Sequence, residues 1–173
     1  MAMTRMTVWA WVAGAVLFQG CAGTHVVKSG ETAGSEAGMT KRVSGPFDVK
    51  LLPMAPDAEA AQSVLGRMRL DKRFHGGLEA TSEGQMLATR SPDNGSGGYV
   101  ALEHVTGTLE GRQGGFILQH SGTMNRGAYT LSVTVVPDSG TGALEGLSGS
   151  MKIIIDDKGN HSYDFEYTLA PSP

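Results

Sequence analysis

The chain reads as an all-β protein built on a single eight-stranded antiparallel up-and-down barrel. Three observations lead there. Runs of alternating apolar and polar residues recur from residue 43 onward. Tight-turn signals separate them, and the 25 glycines occur without Pro-rich tracts. The runs are mostly longer than an average strand of about 5–6 residues. Long strands joined by short turns favour a closed barrel, with a sandwich as the alternative architecture.

The chain opens with "MAMTRMTVWAWVAGAVLFQGCAG". Arg5 precedes an apolar run from Val8 to Phe18, shorter than the about 20 residues a spanning helix needs. It has the make-up of a secretory h-region. A small residue followed by Cys21, the lone cysteine, resembles the bacterial lipoprotein signal. The resemblance implies that residues 1–20 are removed and that Cys21 carries lipid. Phe18 stands three places before the cysteine, where Leu is usual, and Leu17 is one place earlier. Ala22 after the cysteine, rather than Asp, points to the outer membrane. The expected address is therefore the bacterial cell envelope, lipid-anchored and facing the periplasm.

Residues 21–42 are small, polar and without apolar period, as in a flexible tether spanning roughly 25 Å. The barrel domain follows over 43–170. Its strands are expected at Val43–Leu52, Gly66–His75, Gly77–Arg90, Tyr99–Arg112, Gly115–Met124, Ala128–Val136, Leu144–Ile155 and His161–Leu169. Turns are marked by Gly76-Gly77, "SPDNGSGG", Gln113-Gly114, Arg126-Gly127, "PDSGTG" and "DDKGN". Ala55–Leu65 is the one helical candidate. "GTLEGR" (Gly107–Arg112) and "GALEGL" (Gly142–Leu147) look alike, which reads as shared turn chemistry rather than duplication.

The turns set an expected register. A turn at Gln113-Gly114 places Leu109 opposite Leu118, Gly107 opposite His120 and Glu103 opposite Met124. A turn at Arg126-Gly127 places Tyr129 opposite Met124 and Val133 opposite His120. A turn at Gly76 places Leu70 opposite Ser82 and Lys72 opposite Ala80. Leu70, Leu109, Phe116, Leu118, Leu131, Val133 and Val135 then share one face, the interior. Lys72, Glu103 and His120 share that face too. On this register Glu103 and His120 are offset by about 13 Å, too far for a direct dyad.

"GRMRLDKRFHGGLEATSEGQML" (Gly66–Leu87), "GYVALEHVTGTLEGRQGGFILQHSGTM" (Gly98–Met124), "VVPDSGTGALEGLSGSM" (Val135–Met151) and "HSYDFEYTL" (His161–Leu169) resemble a bacterial domain-of-unknown-function family, DUF3224. The resemblance implies an allene-oxide-cyclase-like barrel, calycin-like in shape. It implies no reaction, since a shared fold does not carry function. His104 stands where the family commonly has Arg.

The net charge of −3 and the absence of a basic block argue against nucleic acid. No phosphate loop, nucleophile elbow or zinc helix occurs, and the dispersed histidines mark no metal site. No cofactor is expected. The candidate ligand-binding residues are His120, Glu103, Lys72, Tyr129, Tyr163 and Tyr167. Glu103 and His120 are also the catalytic candidates, because a histidine and a carboxylate suit proton transfer. Each has a bland alternative. His120 can be a buried histidine bonded to a backbone group or a tyrosine, and Glu103 can be one half of an ion pair with Lys72 or His120. Lys72 is expected at a mouth, with its ammonium in water.

Three functions fit these residues. One is a lipid-anchored module holding a small, mostly apolar ligand. Another is a cofactor-independent isomerase or cyclase-like enzyme using Glu103 and His120. The third is a structural barrel filled by its own side chains. The sequence carries no signature of a partner protein or oligomeric state.

Overall fold

A computed structural model of the chain describes residues 38–55 and 64–169. The signal segment 1–20, Cys21, most of the tether and most of the helical candidate Ala55–Leu65 lie outside them.

The described residues form nine strands and no helix. They are β1 (Lys41–Pro53), β2 (Gly66–Phe74), β3 (Leu78–Arg90), β4 (Gly97–Leu109), β5 (Arg112–Asn125), β6 (Ala128–Val135), β7 (Thr141–Gly142), β8 (Ser148–Ile155) and β9 (His161–Thr168). Each strand of the ring pairs with its chain neighbour, and β1 closes on β9. This is the expected closed antiparallel barrel of eight strands, with two-residue β7 added on the β5 edge.

Three local expectations are corrected. β1 begins at Lys41, two residues before Val43. The stretch expected as a strand from Leu144 instead turns on itself, with Leu144 N–H donating to Thr141 O and Leu147 N–H to Leu144 O. It buries Leu144 and Leu147 in the core. The β4–β5 hairpin turns on Glu110-Gly111, not on Gln113-Gly114. Both central residues have positive φ, 47° and 79°, the requirement of a tight type I′ turn. Arg126-Gly127 turns the same way, at 49° and 94°, as its sequence predicts. The similar "GTLEGR" and "GALEGL" segments both prove to be turns, since Gly146 also has positive φ.

The interior divides into two halves. At the closed end, Phe116 stacks on Phe165 at 5.8 Å and Phe165 on Tyr167 at 5.3 Å. Phe47 meets Phe74 at 5.4 Å, and Tyr163 stands edge-on to Phe74 at 5.6 Å. Val105, Leu109, Leu118 and Met151 complete this buried core.

The other end is open among the described residues because the β8–β9 hairpin is short. β9 starts at His161, opposite Phe47, so Asp48–Pro53 of β1 have strand partners only on the β2 side. β6 meets β8 at the Thr134–Ser150 pair alone. Inward-facing Leu51, Tyr129 and Ile155 are consequently exposed.

Candidate functional site

The alternation that buries Leu70 and Phe74 also turns Lys72 inward on β2. The same rule turns Ser82 inward on β3, Glu103 on β4 and His120 on β5. Register then brings these side chains together. Lys72 lies opposite Ser82, correcting its expected partner Ala80 by two residues. Glu103 lies opposite Gly84 on β3 and, on β5, opposite Leu118 rather than Met124. His120 lies opposite Ala101 and Val133, with Gly107 instead opposite Gly114. Glu103 and His120 are therefore diagonal neighbours on adjacent strands, a spacing long side chains bridge.

The distances overturn the expected separation of these two residues. His120 Nε2 is 2.9 Å from Glu103 Oε2. The ring N–H does not point squarely at that oxygen, so the contact is electrostatic rather than a well-directed hydrogen bond. Lys72 Nζ donates to Glu103 Oε2 at 2.6 Å, and the Ser82 hydroxyl donates to Oε1. The ammonium also lies 5.4 and 5.6 Å from the ring centres of Phe47 and Phe74, within cation–π range. The expectation of a water-exposed Lys72 is thus corrected: its side chain is only 5% exposed, and that of Glu103 is 0%.

Burial alone pushes the Glu103 carboxyl up, but His120, Lys72 and Ser82 outweigh it and hold the carboxyl down at about 2. An anion this stabilised is a weak base at neutral pH. The cluster matches the bland reading of Glu103: a buried ion pair in which each carboxylate oxygen accepts a hydrogen bond.

The tyrosines are not brought to it. Tyr163 donates to His75 O at 2.9 Å and accepts from Leu78 N–H at 2.9 Å, tying the β2–β3 turn to the core. Tyr167 donates to Glu110 Oε2 at 2.7 Å, at the closed end. Tyr129 lies at the open end, 54% exposed, beside Tyr99.

Tyr99 is the residue sequence reasoning missed. It shares the inward face with Ala101 and Glu103, a relation the period of two already contains. Its neighbours are small: it pairs with Ala88 on β3 and Gly122 on β5. Its ring occupies the space beside Gly122, where a Cβ would meet Tyr99 Cε1 at 2.4 Å. Burial first, then the neighbouring Tyr129 and the nearby Glu103 charge, raise its pKa, so the phenol stays protonated. Around it opens a cleft of about 560 Å³ at the barrel mouth. Met68, Met86, Ala88, Met124 and Tyr129 line it, and Met68 stands directly opposite Met86.

A broader concavity of about 1410 Å³ lies mainly on the outer surface of β2–β5, over Leu87, Val100 and Leu102. Its rim residue Arg69 is already engaged by Asp71 and Glu83. The mouth cleft is the candidate site because it is a continuation of the barrel interior.

Comparison with known proteins agrees with the fold. The model of a family described as protein of unknown function, DUF3224, matches residues 43–167. A crystal structure of a protein with unknown function from that family, from Shewanella oneidensis MR-1, is similar at 49% identity. The match covers 78% of this chain and 100% of that one, with a TM-score of 0.70. No curated protein matches the chain.

Proposed function

The chain belongs to the DUF3224 family, and from its geometry we propose that it is a binding module, holding a small, mostly apolar molecule at the mouth of its barrel. The supporting observation is the division of the interior. The closed end is filled by its own aromatic side chains, whereas the open end leaves a cleft of about 560 Å³ lined by methionines and tyrosines. Such a lining suits binding of apolar groups: thioethers adapt their shape, and tyrosines offer a flat apolar face with one polar handle. The Lys72–Glu103–His120 cluster lies beneath as framework. Its burial and the low Glu103 pKa weigh against the isomerase reading.

The fluorescent apolar probe phenylnaphthylamine tests this. It should bind saturably to the native protein. Ala88→Phe, which fills the cleft beside Tyr99, should weaken binding by about tenfold or more at unchanged Tm. Equal binding by the two proteins would place the probe elsewhere and sink the proposal.

The same reading places the module on a membrane through lipid on Cys21, supported by the apolar run Val8–Phe18 and the small residue before the cysteine. In a bacterial host, Cys21→Ser is expected to abolish metabolic labelling by palmitate and leave unprocessed protein. Label retained in the variant would refute anchoring at Cys21.

A further inference from the structure

The cleft has one charged residue among the described residues that line it, Arg90, and no carboxylate. Arg90 ends β3 on the same inward-facing row as Met86 and Ala88. Its Nη2 lies 3.6 Å from where a Cβ on Gly95 would stand, so the guanidinium sits against the β3–β4 loop at the rim. Two other arginines of the barrel are engaged, Arg42 with Asp164 and Arg69 with Asp71 and Glu83. No ion pair joins Arg90 to an acid among the described residues. A cationic rim above an apolar wall is complementary to a molecule with a matching division.

Resting on the binding reading above, we propose that the molecule held in the cleft is an amphiphilic anion with one carboxylate end. Its apolar body lies on Met68, Met86 and Tyr99, and its carboxylate lies on Arg90. The planar fork of a guanidinium matches a carboxylate with two parallel N–H···O bonds. The Tyr99 hydroxyl, held protonated, adds a donor without adding charge. A cation of the same shape would meet Arg90 unfavourably, and a neutral one would leave it unused.

Displacement of phenylnaphthylamine separates these cases. Decanoate, decanol and decyltrimethylammonium, kept monomeric, present one chain with three heads. Decanoate is expected to compete about tenfold better than decanol, with decyltrimethylammonium weakest. In Arg90→Gln the decanoate-to-decanol ratio should fall to near one. The ratio is read within each protein, so a general loss of affinity does not imitate the effect. If the probe binds and decanol matches decanoate in the native protein, the anion assignment is wrong while the cleft stands. A preference that survives in Arg90→Gln overturns the role of Arg90. If the probe does not bind at all, both readings fall.

Discussion

Glu103→Leu alone is expected to destabilise the barrel by about 3–5 kcal/mol, measured by urea unfolding. Among the described residues, this carboxylate is the anion paired with the Lys72 ammonium, whose side chain is 5% exposed. Without it, a positive charge remains in a site walled by Phe47 and Phe74. Removing both charges, as Lys72→Met with Glu103→Leu, is expected to recover about half of that loss. Recovery is incomplete because Ser82 loses its acceptor and His120 its charged neighbour.

The native pair also sets an acid limb. The folded-state pKa of Glu103, about 2, lies below its ordinary 4.5. Its contribution is therefore fully present above pH 4.5 and is lost as pH falls toward 2. The size is on the order of 3 kcal/mol. A single variant costing under about 1 kcal/mol would show that the pair is not a framework element.

Phe165→Ala should cost about 3–5 kcal/mol. Phe165 is 0% exposed and stacks between Phe116 and Tyr167, so truncation leaves a cavity that rigid neighbours cannot close. Leu51→Ala, at the open end and 48% exposed, should cost about 1 kcal/mol or less. Equal losses by urea unfolding would contradict the division into a packed end and an open one.

Much of the barrel is legible in residues 43–169. Alternation of Phe116, Leu118, His120 and Gly122 identifies β5 and its buried face. Arg126-Gly127 identifies a turn, and the register from that turn is the one observed. The candidate site was legible only in part. Lys72, Glu103 and His120 were correctly turned inward, but their contact was not visible. Tyr163 and Tyr167 also face inward, yet their hydroxyls serve the β2–β3 turn and Glu110, commitments between residues distant in sequence. The mouth cleft was illegible because it arises from a shortfall in pairing. β9 starts opposite Phe47, leaving the upper half of β1 without a second partner among the described residues.

By itself, the sequence determined which face each strand residue takes, because side chains alternate with period two. It did not determine the β4–β5 register. Gln113-Gly114 and Glu110-Gly111 are both plausible tight turns, three residues apart. Moving the turn from one to the other changes the partner of Leu109 from Leu118 to Arg112, six residues along β5. An even shift keeps every side chain on its face, so the hydrophobic pattern reads the same either way. Only closure of the barrel, with Phe116 opposite Val105 and Leu118 opposite Glu103, selects between them. That selection brings His120 within 2.9 Å of Glu103 and makes three inward polar residues a single buried cluster.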